Sequence, residues 1–598
     1  MNASPATQRV TQWLTAFDAA LSAPDISAAA SLFADDSYWR DLISFTWNIK
    51  TAEGKEAIRD MLAATVPATR PAHWHIDGEG SEADGVTEGW FTFDTAVARG
   101  RGLVRLRDGK CWTLLTTMTE LRGFEERRGP TRDPGVQHGA IRDRLSWAER
   151  KAEDEATLGF ARQPYCLIIG GGQGGIALGA RLKRLGVPTI IVEKNPRPGD
   201  SWRQRYKSLC LHDPVWYDHL PYLPFPEHWP VFSPKDKIGD WLEMYTRVME
   251  LNYWSSTECK SARYDDAKKE WTVVVHRNGE DITLRPKQLV LATGMSGVPT
   301  VPHIPGAESF KGELHHSSKH GSGEAYAGKR CVVIGSNNSA HDICADLWEH
   351  GADVTMIQRS STHVSKSGTL MELALGGLYS ESAVKAGITT DKADLIFASV
   401  PYKIMHAFHI PVYAEMARRD ADFYARLEKA GFLHDFGEDG SGLFMKYLRR
   451  GSGYYIDVGA SELVADGKIK LRSGVGVERI TEGSVVLSDG SELPADLIVY
   501  ATGYGSMNGW AAALISKEVA DKVGKCWGLG SGTRKDPGPW EGELRNMWKP
   551  TQQAGLWFHG GNLHQSRHYS QALALQIKAR LEGIPTPVYA MGPVHHLS

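Results

Sequence analysis

The stretch from Tyr165 to Glu193 reads YCLIIGGGQGGIALGARLKRLGVPTIIVE. A short apolar run, a glycine cluster, a helix-period segment and a second apolar run ending in an acid follow one another, which is the order of a β-α-β unit built around a phosphate-binding turn. Gly170, Gly172 and Gly175 fill the three glycine positions of G-x-G-x-x-G. The first permits a tight turn out of the strand, the second lets backbone N–H groups approach a pyrophosphate, and the third lets the helix pack on the strand. Glu193 stands at the end of the second strand, where a carboxylate accepts hydrogen bonds from ribose hydroxyls. A merely glycine-rich turn does not require all of these features in this order.

A second unit begins at Lys329, where RCVVIG leads into Ser336-Asn337-Asn338-Ser339-Ala340, a helical AHDICADLWEHG and the run DVTMIQRS. Gly335 supplies the turn, Asn337 holds the second glycine position and Ala340 the third, with Asn338 and Ser339 between them. The terminal acid is replaced by Arg359, which can pair with a ribose 2′-phosphate that a carboxylate would repel. Its plainer reading is a solvated surface arginine. The first unit therefore reads as a site for FAD and the second as a site for NADPH, the pairing that hydride transfer to a flavin requires.

From Pro164 onward short apolar runs alternate with glycine-rich turns and helices, the alternation of doubly wound parallel sheets. Toward the N-terminus the pattern changes. Residues 8–33 carry apolar positions at helical spacing (Val10, Trp13, Leu14, Phe17, Leu21, then Ile26, Ala29, Leu32, Phe33), broken at Pro24 and Asp25. A third helical stretch lies near Gly54 to Thr65, and His73 to Leu121 turn to period-two patterning with Asp-Gly punctuation. Helices followed by a meandering sheet predict an α+β domain. With the aromatic and acidic segment SLFADDSYWRD between them, these elements resemble the NTF2-like, or SnoaL-like, cone. Asp35, Asp36, Tyr38, Trp39 and Asp41 are its candidate pocket residues, against a structural or interface role that fold-level analogy favours.

The expected fold class is α/β, with two Rossmann-like dinucleotide-binding domains preceded by the α+β cone. The cone takes 1–128, and 129–162 form a linker with a charged amphipathic helix. Residues 163–325 and 496–598 make the two parts of the FAD-binding domain, and 326–495 the NADPH-binding domain inserted between them.

The 598 residues are 42% hydrophobic and 23% charged, an ordinary globular composition. Lys and Arg number 68 against 71 Asp and Glu, so no global field draws the chain to phosphate backbones, and nucleic acid is not an expected partner. Seven cysteines without a C-x-x-C pair argue against a disulfide framework, a zinc ribbon or a dithiol centre, and no metal site is expected. The opening MNASPATQRVTQWL has no signal-peptide pattern and no run of about 18 apolar residues occurs, so the expectation is a cytoplasmic protein without membrane insertion. G-x-S-x-G, H-E-x-x-H and P-loop patterns are absent, which leaves hydrolase and NTPase readings without support.

Several further motifs follow the first turn: PGDSW with Trp202; LCLHDP with His212, then HLPYLPFPEHWPVF; Ala292-Thr293-Gly294; Phe310, Gly312 and His316 in the spacing F-x-G-x-x-x-H; and DLIVYATGY with Thr502, Gly503 and Tyr504. Together they resemble the flavin-containing monooxygenase family, closest to its indole-3-pyruvate-monooxygenase-like (YUCCA) branch, over Pro164 to about Gly583. His320 stands where the family pattern has an aromatic residue. The resemblance implies NADPH- and O2-dependent oxygenation of a small organic substrate through a flavin C4a-hydroperoxide, as N- or S-oxidation or as attack on a carbonyl or α-keto acid. It implies that Trp202, Thr293, Thr502, Gly503 and Gly561 belong to the cofactor sites and that His212 lies in the flavin's neighbourhood. It also implies that His316 sits between the nucleotide domains, steadying the nicotinamide or the hinge, its plainer reading being a satisfied structural histidine, and that Gly560, Gly561 and Asn562 approach the isoalloxazine. The run His564, Gln565, Arg567, His568 has the alternative reading of a polar surface loop. The aromatic-rich segment from Ser361 to Tyr455 is either a substrate channel or an ordinary helical core.

Other outcomes of the same scaffold are an NADPH oxidase or flavin reductase that releases hydrogen peroxide, and a Baeyer-Villiger-type monooxygenase. A different class is a flavin-bearing module that binds or senses a ligand with its cone. A homodimer is compatible with each of these.

Overall fold

The computed structural model describes residues 3–295 and 297–594. Helix Pro5–Ser22 starts where Ser4 accepts from Thr7 N at 3.2 Å, with Pro5 pre-set for the first turn. Asp25 caps Ile26–Ser31 by accepting from Ala28 N at 2.9 Å, so the break at Pro24 and Asp25 is a cap as well as a turn. These helices and Lys55–Thr69 cover a curved seven-stranded sheet. The aromatic and acidic segment SLFADDSYWRD supplies a strand: Phe33–Leu42 pairs in parallel with Lys110–Leu121 and antiparallel with Ile49–Glu53. Phe33 thus opens a strand and does not close a helix, because its ring is needed inside the cone. Trp13, Phe17, Phe33, Trp39, Phe45, Trp74, Phe91 and Phe93 fill that interior with stacked and edge-on rings, each pair adding about 0.5–1.5 kcal/mol beyond area burial. Asp41 is buried among donors, accepting from Phe45 N, Thr46 N, Thr46 Oγ1 and Thr116 Oγ1 at 2.6–2.9 Å. It holds the turn after its strand.

The other face of the cone sheet carries Leu42, Ile43, Trp47, Ile49, Leu103, Leu115 and Met118, which belong to one buried cluster with the first nucleotide unit. That unit is a parallel sheet in the order Tyr253–Trp254, Thr189–Val192, Cys166–Ile169, Gln288–Leu291, Leu556–Phe558. Its last strand returns after more than 260 residues of intervening chain, so the second unit is an insertion. The second parallel sheet runs Glu313–His316, Leu497–Tyr500, Arg330–Ile334, Asp353–Gln358, Lys470–Ser473. Expected boundaries at 325/326 and 495/496 cut through this sheet. Glu313–His316 and Leu497–Tyr500 are strands of the second unit: Leu497–Tyr500 pairs in parallel with Arg330–Ile334, and Glu313–His316 pairs in parallel with Leu497–Tyr500, which draws both there.

From the second sheet a helical insertion extends, including Thr390–Ala398, Tyr402–Arg419, Ala421–Lys429 and Gly442–Arg450. The last helix, Leu563–Leu581, is buried along nearly its whole length, and the run HQSRH within it is not a surface loop. The linker helix Trp147–Thr157 buries none of its residues. Among the described residues no helix is long and apolar enough to cross a membrane.

Candidate active site

Gly170 leaves its strand at φ +105°, and a Cβ there would stand 2.4 Å from Ala292 O. A Cβ on Gly175 would stand 2.0 Å from Gly170 O, so the helix can close on the turn only without one. Gly172 differs: its φ is −76° and the nearest heavy atom to a Cβ would be Ser201 Oγ at 3.7 Å. It caps helix Gln173–Arg184 and leaves room beside Ser201 for a ligand, a cradle at a helix N-terminus where partial positive charge collects. Glu193 reaches back under the turn, its Oε2 accepting from Gly171 N at 2.8 Å and its Oε1 from Asn195 N at 2.9 Å. Trp202 donates from Nε1 to Gln173 Oε1 at 3.2 Å.

The N-terminus of the last helix meets this turn. Gln173 Nε2 donates to Gly561 O at 3.4 Å, and Gly174 lies against His559 and Gly560. Asn562 caps the helix, accepting from Gln565 N at 2.9 Å and donating from Nδ2 to Tyr217 Oη at 3.1 Å. Thr293 Oγ1 is buried without a hydrogen-bond partner beside the same turn. An open cradle, a helix N-terminus and an unsatisfied hydroxyl together fit a dinucleotide pyrophosphate and its flavin.

The second turn repeats the first. Gly335 has φ +133°, and a Cβ there would stand 2.3 Å from Ala501 O, as Gly170 meets Ala292 O. Asn337 caps helix Asn338–Glu349 without a side-chain capping bond, its Oδ1 accepting instead from Thr362 Oγ1 at 3.4 Å, and Ala340 is buried in the third glycine position. Ser339 lies in the first turn of the same helix, whereas Asn338 Oδ1 accepts from Ile456 N at 3.2 Å and ties it to the neighbouring strand. Arg359 is exposed at the end of Asp353–Gln358. Burial pushes the nearby Lys535 amine down, and Arg450 and Arg359 add to that shift, so this rim is cationic.

Thr502 and Gly503, tied to the cofactor sites by resemblance, and His316, expected between the nucleotide domains, meet at the junction between the units. Thr502 Oγ1 donates to Thr300 O at 2.6 Å, and Gly503 O accepts from Thr300 N at 2.9 Å and from His316 Nε2 at 3.1 Å. His316 Nδ1 accepts from Ser318 N at 3.1 Å, so both its nitrogens are engaged. His320, in place of the family's aromatic, is fully buried and bonds Asp346 Oδ2 at 3.2 Å and His315 Nε2 at 3.3 Å. It fills the volume of an aromatic ring and adds polar ties. His212 is half-buried in the loop that carries Asp213, a carboxyl that burial raises and that the charges of His212 and His564 lower.

One constellation was not legible in the sequence. Asp394 of the helical insertion accepts from Arg567 Nε and Nη2 at 2.9 and 2.8 Å and from Tyr379 Oη at 2.9 Å, with His564 Nε2 at 3.3 Å. Burial alone would raise this carboxyl, but the Arg567 guanidinium and His564 outweigh it and hold it well below the usual range. Arg567 Nη1 also donates to Tyr217 O and His219 O at 2.7 and 2.6 Å, and the Tyr217 ring stacks on His564 at 4.5 Å. The last helix, the loop of the first unit and the insertion of the second are thereby locked together behind Asn562. Only the HQSRH run hinted at it; Asp394 lies 173 residues from Arg567 in the chain.

A Pyridine nucleotide-disulphide oxidoreductase family model matches residues 167–406, and a SnoaL-like domain model matches 10–114. Indole-3-pyruvate monooxygenase YUCCA1 of Oryza sativa subsp. japonica is 30% identical over 365 residues, 60% of this chain and 82% of the relative. Probable indole-3-pyruvate monooxygenase YUCCA3 of Arabidopsis thaliana is 30% identical over 348 residues, 57% of this chain and 73% of the relative. Among solved structures, OTEMO in complex with FAD and NADP superposes with a TM-score of 0.50 at 18% identity, over 71% of this chain and 86% of that one. Epsilon-caprolactone-bound cyclohexanone monooxygenase gives 0.50 at 18% identity, over 70% and 88%. The fold, two parallel-sheet units with paired turns preceded by a cone, has the architecture of the flavin and Baeyer-Villiger monooxygenases. The chain belongs to the flavin-containing monooxygenase family, is related to its YUCCA members, and carries a SnoaL-like domain at its N-terminus. It is an enzyme of the NADPH-dependent flavin monooxygenase kind, for which the family implies a small substrate and O2.

Proposed function

We propose that the chain binds FAD on its first turn and NADPH on its second and inserts one oxygen atom of O2 into a small 2-oxo acid. The observation that carries the cofactor assignment is the pair of geometrically equivalent turns, the first ending in Glu193 and the second in Arg359. Amides around Gly170, Gly172 and Gly175 hold the FAD pyrophosphate at the helix N-terminus, and Glu193 accepts from its ribose. Gly335, Asn338, Ser339 and Ala340 form the corresponding turn for NADPH, and Arg359 pairs with the 2′-phosphate. FAD, when bound, supplies acceptance of two electrons from NADPH and activation of dioxygen.

The protein's part is placement and dryness. Thr293, Trp202, Gly561 and Asn562 wall the flavin, the helix N-terminus at Asn562 favours negative charge on it, and His212 lines the approach. His316, Thr502 and Gly503 act as hinge residues between the units. The 2-oxo acid class rests on the activity of the relatives, indole-3-pyruvate monooxygenases.

The test is oxygen uptake by the flavin-loaded chain with NADPH and a panel of aryl and alkyl 2-oxo acids, with amines, sulfides and ketones alongside. Consumption of O2 and NADPH matched by carbon dioxide release from a 2-oxo acid is the expected result. Stoichiometric hydrogen peroxide with every candidate would make the chain an oxidase, and a lactone or ester from a ketone would make it a Baeyer-Villiger enzyme.

A further inference from the structure

Arg40, on the cone strand Phe33–Leu42, is 1% exposed, yet it reaches three other parts of the molecule. Its Nε and Nη2 donate to Glu543 Oε1 and Oε2 at 2.7 and 2.8 Å, and Nη1 donates to Ala398 O at 2.8 Å. Nη2 also reaches Tyr569 Oη at 3.1 Å, and the guanidinium lies 4.5 Å from the centre of the Tyr402 ring. Glu543 and Tyr569 belong to the first unit, the latter on the last helix. Ala398 and Tyr402 bracket the turn between two helices of the second unit's insertion.

Neighbouring contacts follow the same plan. Thr51 Oγ1 donates to Glu543 Oε1 at 2.7 Å, Trp540 Nε1 to Glu53 Oε1 at 2.6 Å, and Gln571 Nε2 to Thr119 O at 3.1 Å. Trp112 of the cone packs toward Phe408 of the insertion. A buried ion pair gains little net stability over apolar residues of the same size, because desolvation offsets its attraction. What a bidentate guanidinium–carboxylate fork does provide is a fixed direction, which apolar surfaces free to slide do not. The cone interior is packed with aromatic rings, so its contribution lies on this outer face.

We propose that the cone is a clamp on the catalytic core, with Arg40 as a positioning residue that holds the Ala398–Tyr402 turn of the second unit against the last helix. Tyr569 lies about two helical turns beyond Asn562, so loosening the clamp opens the space between the units near the proposed flavin wall to water. The water-exclusion part rests on the monooxygenase reading; the clamp itself does not.

The test uses the full chain with Arg40→Met, Arg40→Lys and the double variant Arg40→Met/Glu543→Leu, since the single change leaves Glu543 buried and charged without its partner while the double replaces both ions by apolar groups. Hydrogen–deuterium exchange is followed with and without FAD, and hydrogen peroxide released per NADPH is measured in the loaded enzyme. In the double variant, amides around residues 395–405 should exchange at least about tenfold faster, the factor carried by 1.4 kcal/mol, while the cone strands stay protected. Peroxide per NADPH should rise, and Arg40→Lys, which keeps the charge but not the fork, should fall between parent and double variant. Unchanged exchange at 395–405, or unchanged peroxide yield, overturns the proposal. If the parent retains no flavin or does not oxidise NADPH, the monooxygenase reading fails, and the exchange measurement alone judges the clamp.

Discussion

Gly172→Ala separates cofactor binding from folding. At this position φ is −76°, a conformation open to any residue, and the nearest heavy atom to an added Cβ would be Ser201 Oγ at 3.7 Å. The free protein therefore loses nothing, and restricting the unfolded chain adds about 0.4–1 kcal/mol of stability. Yet the methyl group would occupy the cradle from which a pyrophosphate approaches the helix N-terminus. Losing two hydrogen bonds from backbone N–H groups to a charged phosphate, at about 1.5–3 kcal/mol each, weakens FAD binding by about 3–6 kcal/mol, or roughly 10²- to 10⁴-fold. Gly170→Ala and Gly175→Ala are the contrast, since their Cβ atoms would lie 2.4 Å from Ala292 O and 2.0 Å from Gly170 O, and both should destabilise the apo-protein. The assay is thermal unfolding of the flavin-free chains together with FAD titration followed by flavin fluorescence. A Gly172→Ala protein that binds FAD as tightly as the parent would refute the reasoning, and so would one whose apo form melts well below it.

Arg359→Ala should raise the KM for NADPH by the equivalent of about 1.5–3 kcal/mol while leaving NADH use nearly unchanged, and steady-state kinetics with both cofactors decide it, equal effects counting against the 2′-phosphate role. Burial drives His363, His559 and His568 down to about 3 and His341 to about 4. Because these folded values lie below the unfolded value of about 6.5, the stabilisation is complete above pH 6.5 and is lost as pH falls, at about 1.4 kcal/mol per unit for each group. Urea midpoints should therefore drop steeply between pH 6.5 and 4.5, and a flat profile there would show that these rings do not stay neutral in the fold. Asp394, whose pKa is depressed, keeps its contribution across this window and loses it only below the ordinary carboxylate range.

The two nucleotide turns were legible because everything they need is contiguous. A positive φ at Gly170 and Gly335, a closely packed third position at Gly175 and Ala340, and a helix cap between them are all local demands on neighbouring residues. The helix pair of the cone was legible for the same reason, through its apolar spacing and the break at Pro24 and Asp25. Phe33–Leu42 was not, because its strand state comes from pairing with Ile49–Glu53 and with the distant Lys110–Leu121, not from its own pattern. Nor was the membership of Glu313–His316 and Leu497–Tyr500 in the second sheet, which parallel pairing across nearly 200 residues decides. The same holds for the residues that join the units. Arg40 and Glu543 are 503 positions apart, and Arg567 and Asp394 are 173. A lone arginine or aspartate in a sequence most often reads as a solvated surface charge. Only the packing that removes water from both partners turns these four into buried ties between the cone, the first unit and the inserted unit.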